Sequence, residues 1–176
     1  MFQQRSEEDL IRSARDGDGG AFADLLRPLY SSAFRVALAL LHDRGEAEDA
    51  VQEAAFKAWR KLGTVRRGAP LRPWFLAIVA NQCRSVRRKS WWSPERLEER
   101  LADFRVADAD ARIDLHQALK DLDYDQRLVL VLRYYLDLPY EEIAQVMGIS
   151  AKAARSRNER AIRRLRPIFP LTEAVI

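Results

Sequence analysis

Residues 138–166, LPYEEIAQVMGISAKAARSRNERAIRRLR, predict two helices joined by a tight turn, the second rich in arginine. Pro139 suits a first helical turn, where a missing N–H costs nothing. Ile143, Ala144, Val146 and Met147 give the first helix an apolar side. Gly148 can take the positive φ that ends it, and Ser150 offers a side-chain oxygen to cap the next. Short helix, glycine turn, capped basic helix is the helix-turn-helix pattern that reads the DNA major groove.

The basic helix is sorted by face. At about 100° per residue, Ala151, Ala154, Asn158, Ala161, Ile162 and Leu165 gather on one side. Lys152, Ala153, Ser156, Arg160 and Arg163 gather on the other, with Arg157 and Arg164 at its border and Glu159 across from them. The plain alternative is a solvated basic face on an ordinary surface helix. Residues 150–166 hold seven Lys or Arg and one acid, however, so the face is scarcely balanced internally. Small Ala and Ser residues among the arginines would let the backbone approach base edges. The pattern favours DNA reading.

The whole chain of 176 residues fits one large or two small domains. With 48% hydrophobic and 32% charged residues it can build cores and stay soluble. A net charge of +4 is mild, and its placement matters more. Residues 72–89 carry five basic side chains and no acid, whereas in residues 93–114 acids outnumber bases. Two positive blocks around an acidic middle suit a long polyanion touched at two places. The lone Cys83 cannot form an internal disulfide, and no Cys/His spacing resembles a zinc site, so neither metal nor cofactor is expected. His42 and His116 lie far apart in sequence and fit surface or cap roles. Residues 1–10 are polar rather than an apolar signal segment, and the most apolar stretch, 36–41, is too short to cross a bilayer. A cytoplasmic protein without membrane insertion is expected.

Nearly every segment reads helical. Helices are predicted at 7–15, broken at 16–20, then from 21 to 41. Asp43 with Glu46 resembles a capping box that opens a third, ended by Gly63. A basic loop spans 64–70, and Pro73 starts a fourth helix to about residue 89. Residues 90–108 break the periodicity and read as a linker, partly helical at 95–104. Leu115, Leu119 and Leu122 share a further helix, residues 127–136 form the next, and the helix-turn-helix follows. The fold class is therefore all-α: two small helical bundles joined by a flexible linker, the second ending in the helix-turn-helix. Domain bounds of 1–90 and 110–170 follow, with 91–109 between them.

Two helices of the first domain carry more than packing. In residues 46–62, EAEDAVQEAAFKAWRKL, the positions Ala47, Val51, Ala54, Ala55, Ala58 and Leu62 make a buried face. Asp49, Gln52, Glu53, Phe56 and Arg60 make a narrow stripe opposite, where Phe56 is a large ring among polar groups. Either another helix covers it, or it is an aromatic anchor with charged neighbours, as at protein–protein hot spots. In residues 72–89, RPWFLAIVANQCRSVRRK, Phe75, Val79, Cys83 and Val86 make one apolar side. Trp74, Ile78, Asn81, Ser85 and Arg88 share another, beside Arg84. Rings, amides and guanidinium groups together suit single-stranded nucleic acid, although Trp74 fits a core role equally well. The basic run abuts a loop carrying Arg66 and Arg67.

In this order the three segments resemble the sigma factors of bacterial RNA polymerase, particularly the small two-domain group with extracytoplasmic function. GEAEDAVQEAAFKAWRKL is similar to that family's region 2 motif, RPWFLAIVANQCRSVRRK to the segment after it, and LDLPYEEIAQVMGISAKAARSRNERAIRRLR to its region 4 helix-turn-helix. Lys152-Ala153-Ala154 stands where the family usually has Gly-Thr-Val, and Ser85 where an acid is frequent. The resemblance implies a non-enzymatic subunit that directs core polymerase to promoters. It implies docking of Asp49, Gln52, Glu53, Phe56 and Arg60 on the β′ clamp helices. It implies contact of the unpaired −10 strand by Trp74, Asn81, Arg84, Ser85 and Arg88 with Arg66 and Arg67, the loop at 62–71 accepting a flipped base. In the −35 duplex Lys152, Ser156 and Arg160 would meet base edges, and Arg155, Arg157, Arg163 and Arg164 phosphates, while an apolar surface sits on the β flap. The linker would thread the RNA channel of polymerase. Members of this group are often held by an anti-sigma factor, and nothing in the sequence identifies one.

Two other classes compete. A conventional DNA-binding regulator with a dimerising or ligand-sensing bundle explains the helix-turn-helix but neither the Phe56 stripe nor the Trp/Asn/Arg helix. An enzyme such as a recombinase lacks support: no nucleophile has an evident base, and no glycine-rich phosphate loop is present.

Overall fold

Local capping and apolar periodicity dictate helices, and among the described residues the chain forms no strand. In this computed structural model residues 6–66, 68–90 and 122–165 are described, and the chain divides into two compact units between Val86 and Arg87. The expected linker, Arg67, Leu115, Leu119 and His116 lie outside the described residues.

The first unit opens with α1, Glu7–Arg15, where Ser6 Oγ accepts from the Asp9 amide at 3.2 Å. Acids in its first turn and Arg12 and Arg15 in its last complement the helix dipole. Helix α2, Gly19–Leu41, starts before the glycine-rich break is over. Asp18 Oδ1 accepts from the amides of Gly20 at 2.9 Å and Ala21 at 3.0 Å, and this cap draws both glycines into the first turn. His42 ends α2 in the left-handed conformation, so the cap role expected of it is its role. Helix α3, Arg44–Lys61, is capped by Asp43, whose Oδ1 accepts from the Glu46 amide at 2.6 Å. It passes into a single 3₁₀ turn, Leu62–Thr64, rather than stopping at Gly63. Helix α4, Leu71–Ser90, begins before Pro73, which therefore sits in the first turn, where its missing N–H has no intrahelical partner to lose.

Small side chains let α2 and α3 approach closely. Ala33, Val36, Ala37 and Leu40 are buried from one, Ala47, Ala50, Val51, Ala54 and Ala58 from the other. The predicted face of α3 is thus right, with Ala50 added and Ala55 only half-buried. A second cluster joins Ala14, Ala21, Leu25, Leu62, Val65 and Leu71, with Trp59 and Trp74 packed against it. The rings of Phe22 and Trp59 meet edge to face at 5.0 Å. Arg15 ties this cluster to the following loop: its Nε donates to the Leu62 carbonyl at 3.3 Å and its guanidinium also to that of Val65. From α4, Phe75, Leu76, Val79, Ala80 and Cys83 are buried. Burial pushes the Cys83 thiol up to about 12, so it is inert at neutral pH.

In the second unit α5, Tyr124–Leu130, begins earlier than the predicted 127. Its start is a full capping box: Asp123 Oδ1 accepts from the Gln126 amide at 2.7 Å, and Gln126 Oε1 accepts from the Asp123 amide at 3.3 Å. The helix then widens into a π turn, Val131–Tyr135. Helix α6, Tyr140–Met147, has Pro139 at its N-cap, one place before the predicted first turn. Gly148, at φ +66°, ends it as predicted. Helix α7, Ala151–Leu165, begins with Ser150 Oγ accepting from the Ala153 amide at 3.1 Å. Leu128, Leu132, Leu138, Ile143, Ala154 and Ala161 are among the buried residues of this unit.

Candidate functional site

The α3 stripe stands clear of its own domain. Asp49, Gln52, Glu53, Phe56 and Arg60 are all exposed, and Phe56 keeps 59% of its surface open. No described helix of the unit covers the ring, so the packing alternative for that residue is not met. Its neighbour is Arg60, whose guanidinium lies 5.9 Å from the ring centroid. Lys57 Nζ lies 3.6 Å from Glu53 Oε1 and donates to Gln82 Oε1 on α4. Asp49, Gln52 and Glu53 also line a shallow groove with Gln82 and Val86. Lys57 and Gln82 drew no notice as sequence because neither breaks an apolar or polar pattern.

On α4, Asn81, Arg84 and Arg88 are exposed, as is Arg66 in the preceding loop. Ser85 is half-buried and its hydroxyl donates to the Asn81 carbonyl at 3.1 Å, so its donor is engaged within the helix. Trp74 is half-buried and packs on the Leu25/Leu62/Leu71 cluster. The core alternative for that ring is therefore met at least in part.

Helix α7 presents Lys152, Arg155, Ser156, Arg160, Arg163 and Arg164 to solvent and buries Ala154, Asn158 and Ala161. Several of these cations have partners within the unit. The Arg155 guanidinium lies 5.0 Å over the Tyr140 ring, and Arg164 donates to Gln126 Oε1 at 3.3 Å. Arg157 is half-buried and its Nη1 reaches Asp125 Oδ2 at 3.0 Å, which ties α7 to α5. Arg127 is a further cation that the pattern overlooked. It is 3% exposed, and burial lowers its guanidinium to about 10, still charged at neutral pH. The signal was its spacing of four from the buried Val131.

Among the described residues no group of three His, Cys, Asp or Glu could hold a metal ion, and no helix is long and apolar enough to cross a membrane. One unit carries an exposed carboxylate-and-ring ridge and the other a cation-faced helix-turn-helix, the make-up of a DNA-binding protein of two helical units.

Comparison with known proteins gives the family. Residues 22–93 match Sigma-70 region 2 and residues 118–167 match Sigma-70, region 4. The extracytoplasmic-function RNA polymerase sigma factor SigM of Mycobacterium tuberculosis is 30% identical over 165 residues, 92% of this chain and 84% of its own. The RNA polymerase sigma-H factor of Pseudomonas aeruginosa is 27% identical, over 92% of each chain. Among solved structures, CnrH in complex with the cytosolic domain of CnrY is similar with a TM-score of 0.70 at 26% identity, covering 90% of this chain and 94% of that one. The sigma factor RpoE in complex with the anti-sigma factor NepR from Bartonella quintana gives a TM-score of 0.66 at 27% identity, over 86% and 98%. The chain belongs to the sigma-70 family, in its extracytoplasmic-function group, and serves promoter-directed initiation by RNA polymerase.

Proposed function

We propose that the exposed ridge of α3 is the surface by which this sigma factor holds core polymerase, with Asp49, Gln52, Glu53, Phe56 and Arg60 laid on the β′ clamp helices. The observation that carries this is Phe56, 59% exposed in the middle of a charged stripe. A ring in that position contributes little to folding and much to an interface, where aromatic anchors dominate the binding energy. Residues 1–90 act as the unit that takes polymerase and the −10 strand, 91–109 as the link, and 110–170 as the −35 unit seated on the β flap.

For the −10 strand we assign Asn81, Arg84 and Arg88 of α4 with Arg66 and Arg67 of the loop before it, Trp74 and Ser85 contributing less because packing and a helix-internal hydrogen bond already engage them. Flipping a base costs a few kcal/mol, and stacking with edge hydrogen bonds returns about 1–3 per base. Strand opening thus needs binding energy and no catalytic side chain. At −35, Lys152, Ser156 and Arg160 take base edges while Arg155, Arg163 and Arg164 take phosphates. Arg157 serves the fold through Asp125 instead. The protein works in the cytoplasm without metal or cofactor. Solved relatives are seen with anti-sigma partners, and an inhibitor of that kind is proposed for this chain too.

Run-off transcription with purified core polymerase tests the reading. Wild-type protein should start transcripts from a fixed site. A regulator of the conventional kind would yield none without another sigma subunit. Asn81→Ala should lose as much on a pre-opened bubble as on duplex if it holds a base; a loss confined to duplex would restrict it to the melting step.

A further inference from the structure

Asn158 is the only polar, uncharged side chain among the buried described residues. It lies on the inward face of α7, 2% exposed, between two alanines that are fully covered. Its Nδ2 donates to the hydroxyl of Tyr134 at 3.1 Å and to that of Tyr140 at 3.0 Å. Its Oδ1 is buried with no hydrogen-bond partner among the described residues. Leucine has the same branched shape and would bury no idle polar atom of its own. The tyrosine hydroxyls could turn to water, so the amide here adds little to stability. Buried amides of this kind are best attested as devices that fix how one helix lies on another.

What this amide fixes is visible on Tyr140. The ring carries Arg155 of α7 at 5.0 Å and Arg133 of the π turn at 5.1 Å. Arg133 is held in turn by the Leu138 carbonyl at 3.0 Å. The second tyrosine, Tyr134, comes from the π turn itself, a backbone form that concentrates at functional sites. One amide thus joins α7 to α6 and to the π turn that continues α5, and it sets the ring on which an outward arginine rests.

We propose that Asn158 is a positioning residue for promoter discrimination: with Tyr134 and Tyr140 it locks the rotation of α7, so that Arg155, Ser156 and Arg160 meet the −35 duplex in one register. The inference rests on the assignment of α7 to −35 DNA. A loosened α7 would keep all its cations and still hold DNA, but it would tolerate wrong sequences. Stability and selectivity should therefore move in opposite directions.

The test uses holoenzyme rebuilt from core polymerase and full-length protein, selecting from promoters randomised at −35. Wild-type holoenzyme should enrich one motif; if it enriches none, the −35 assignment itself fails. Asn158→Leu should narrow the preference for the best site over single mismatches by roughly five- to tenfold, on the scale of one mismatch. The salt slope of binding should stay unchanged, because no cation is lost. The melting midpoint of the free protein should hold or rise by roughly 2–6 °C. Unchanged preference would overturn the proposal. Should Asn158→Leu fail to fold, Tyr140→Phe decides, since it keeps the ring under Arg155 and removes one hydrogen bond. It should cost about threefold in preference, and undiminished preference there overturns the proposal equally.

Discussion

Helices α3 and α7 both bury a seam of small residues, and they prepare their outer faces in opposite ways. The α3 seam is wholly apolar, and its outer ridge interacts chiefly with itself, Arg60 leaning on Phe56 and Lys57 on Glu53. The α7 seam contains an amide, and its outer cations are braced by α5 and α6 through Asp125, Gln126 and Tyr140. A protein partner brings its own ordered surface and rewards exposed ring area, so the ridge can be left unbraced. Base edges reward a fixed donor direction, and a helix braced at Arg155, Arg157 and Arg164 is oriented before DNA arrives. Substitutions on the α3 ridge should therefore leave stability unchanged, whereas on α7 those at braced positions should change it.

The sharpest break between the two helices lies at Phe56. Phe56→Ala with Gln52→Ala should cost about 2–4 kcal/mol of core polymerase affinity. Thermal unfolding of the free protein should change by less than about 0.5 kcal/mol, as for surface sites generally. Unchanged affinity in a titration with labelled core would remove the ridge from the interface. Next comes Arg160, whose Nε donates to the Ser156 carbonyl at 3.3 Å within α7. Arg160→Ala should cost about 1–3 kcal/mol on the preferred −35 duplex and little on a mismatched one. A uniform loss across sequences would reassign it to the phosphates.

Much of this contrast can be read in the linear chain. Amphipathic spacing in residues 46–62 marks the face that α3 buries, and it places Phe56 outside that face; only packing shows that no other described helix covers the ring. Gly148 and Ser150 mark the turn between α6 and α7 because each does a local job that few other residues do. Helix starts were less legible. Asp18 rescues two glycines that read as a break, and the Asp123/Gln126 box starts α5 before its apolar pattern begins. The partners of Arg157 and Asn158 were illegible altogether. Asp125 lies 32 positions from Arg157 and Tyr134 lies 24 from Asn158, separations that no helical period spans.

Arg157 sharpens the comparison at smaller scale. Its ion pair with Asp125 is about one-third exposed on each side, so it falls between surface pairs and buried ones. Arg157→Ala should destabilise the second unit by about 1–2 kcal/mol. Asp125→Ala should do nearly as much, and the double variant should cost less than the two singly, a coupling that a thermodynamic cycle measures. Sequence preference at −35 should barely change, which would be incompatible with base reading by Arg157.

Arg163 is the weakest case and the cleanest control, because it is exposed and no contact among the described residues braces it as Asp125 braces Arg157. Arg163→Ala should weaken every duplex alike and lower the slope of log affinity against log salt by about 1, the release of one counterion. Its melting midpoint should not move. If Arg163→Ala instead altered which −35 sequences are preferred, Arg163 would join Lys152, Ser156 and Arg160 at the base edges. The base-reading part of α7 would then extend beyond Arg160 into the last turn of the helix.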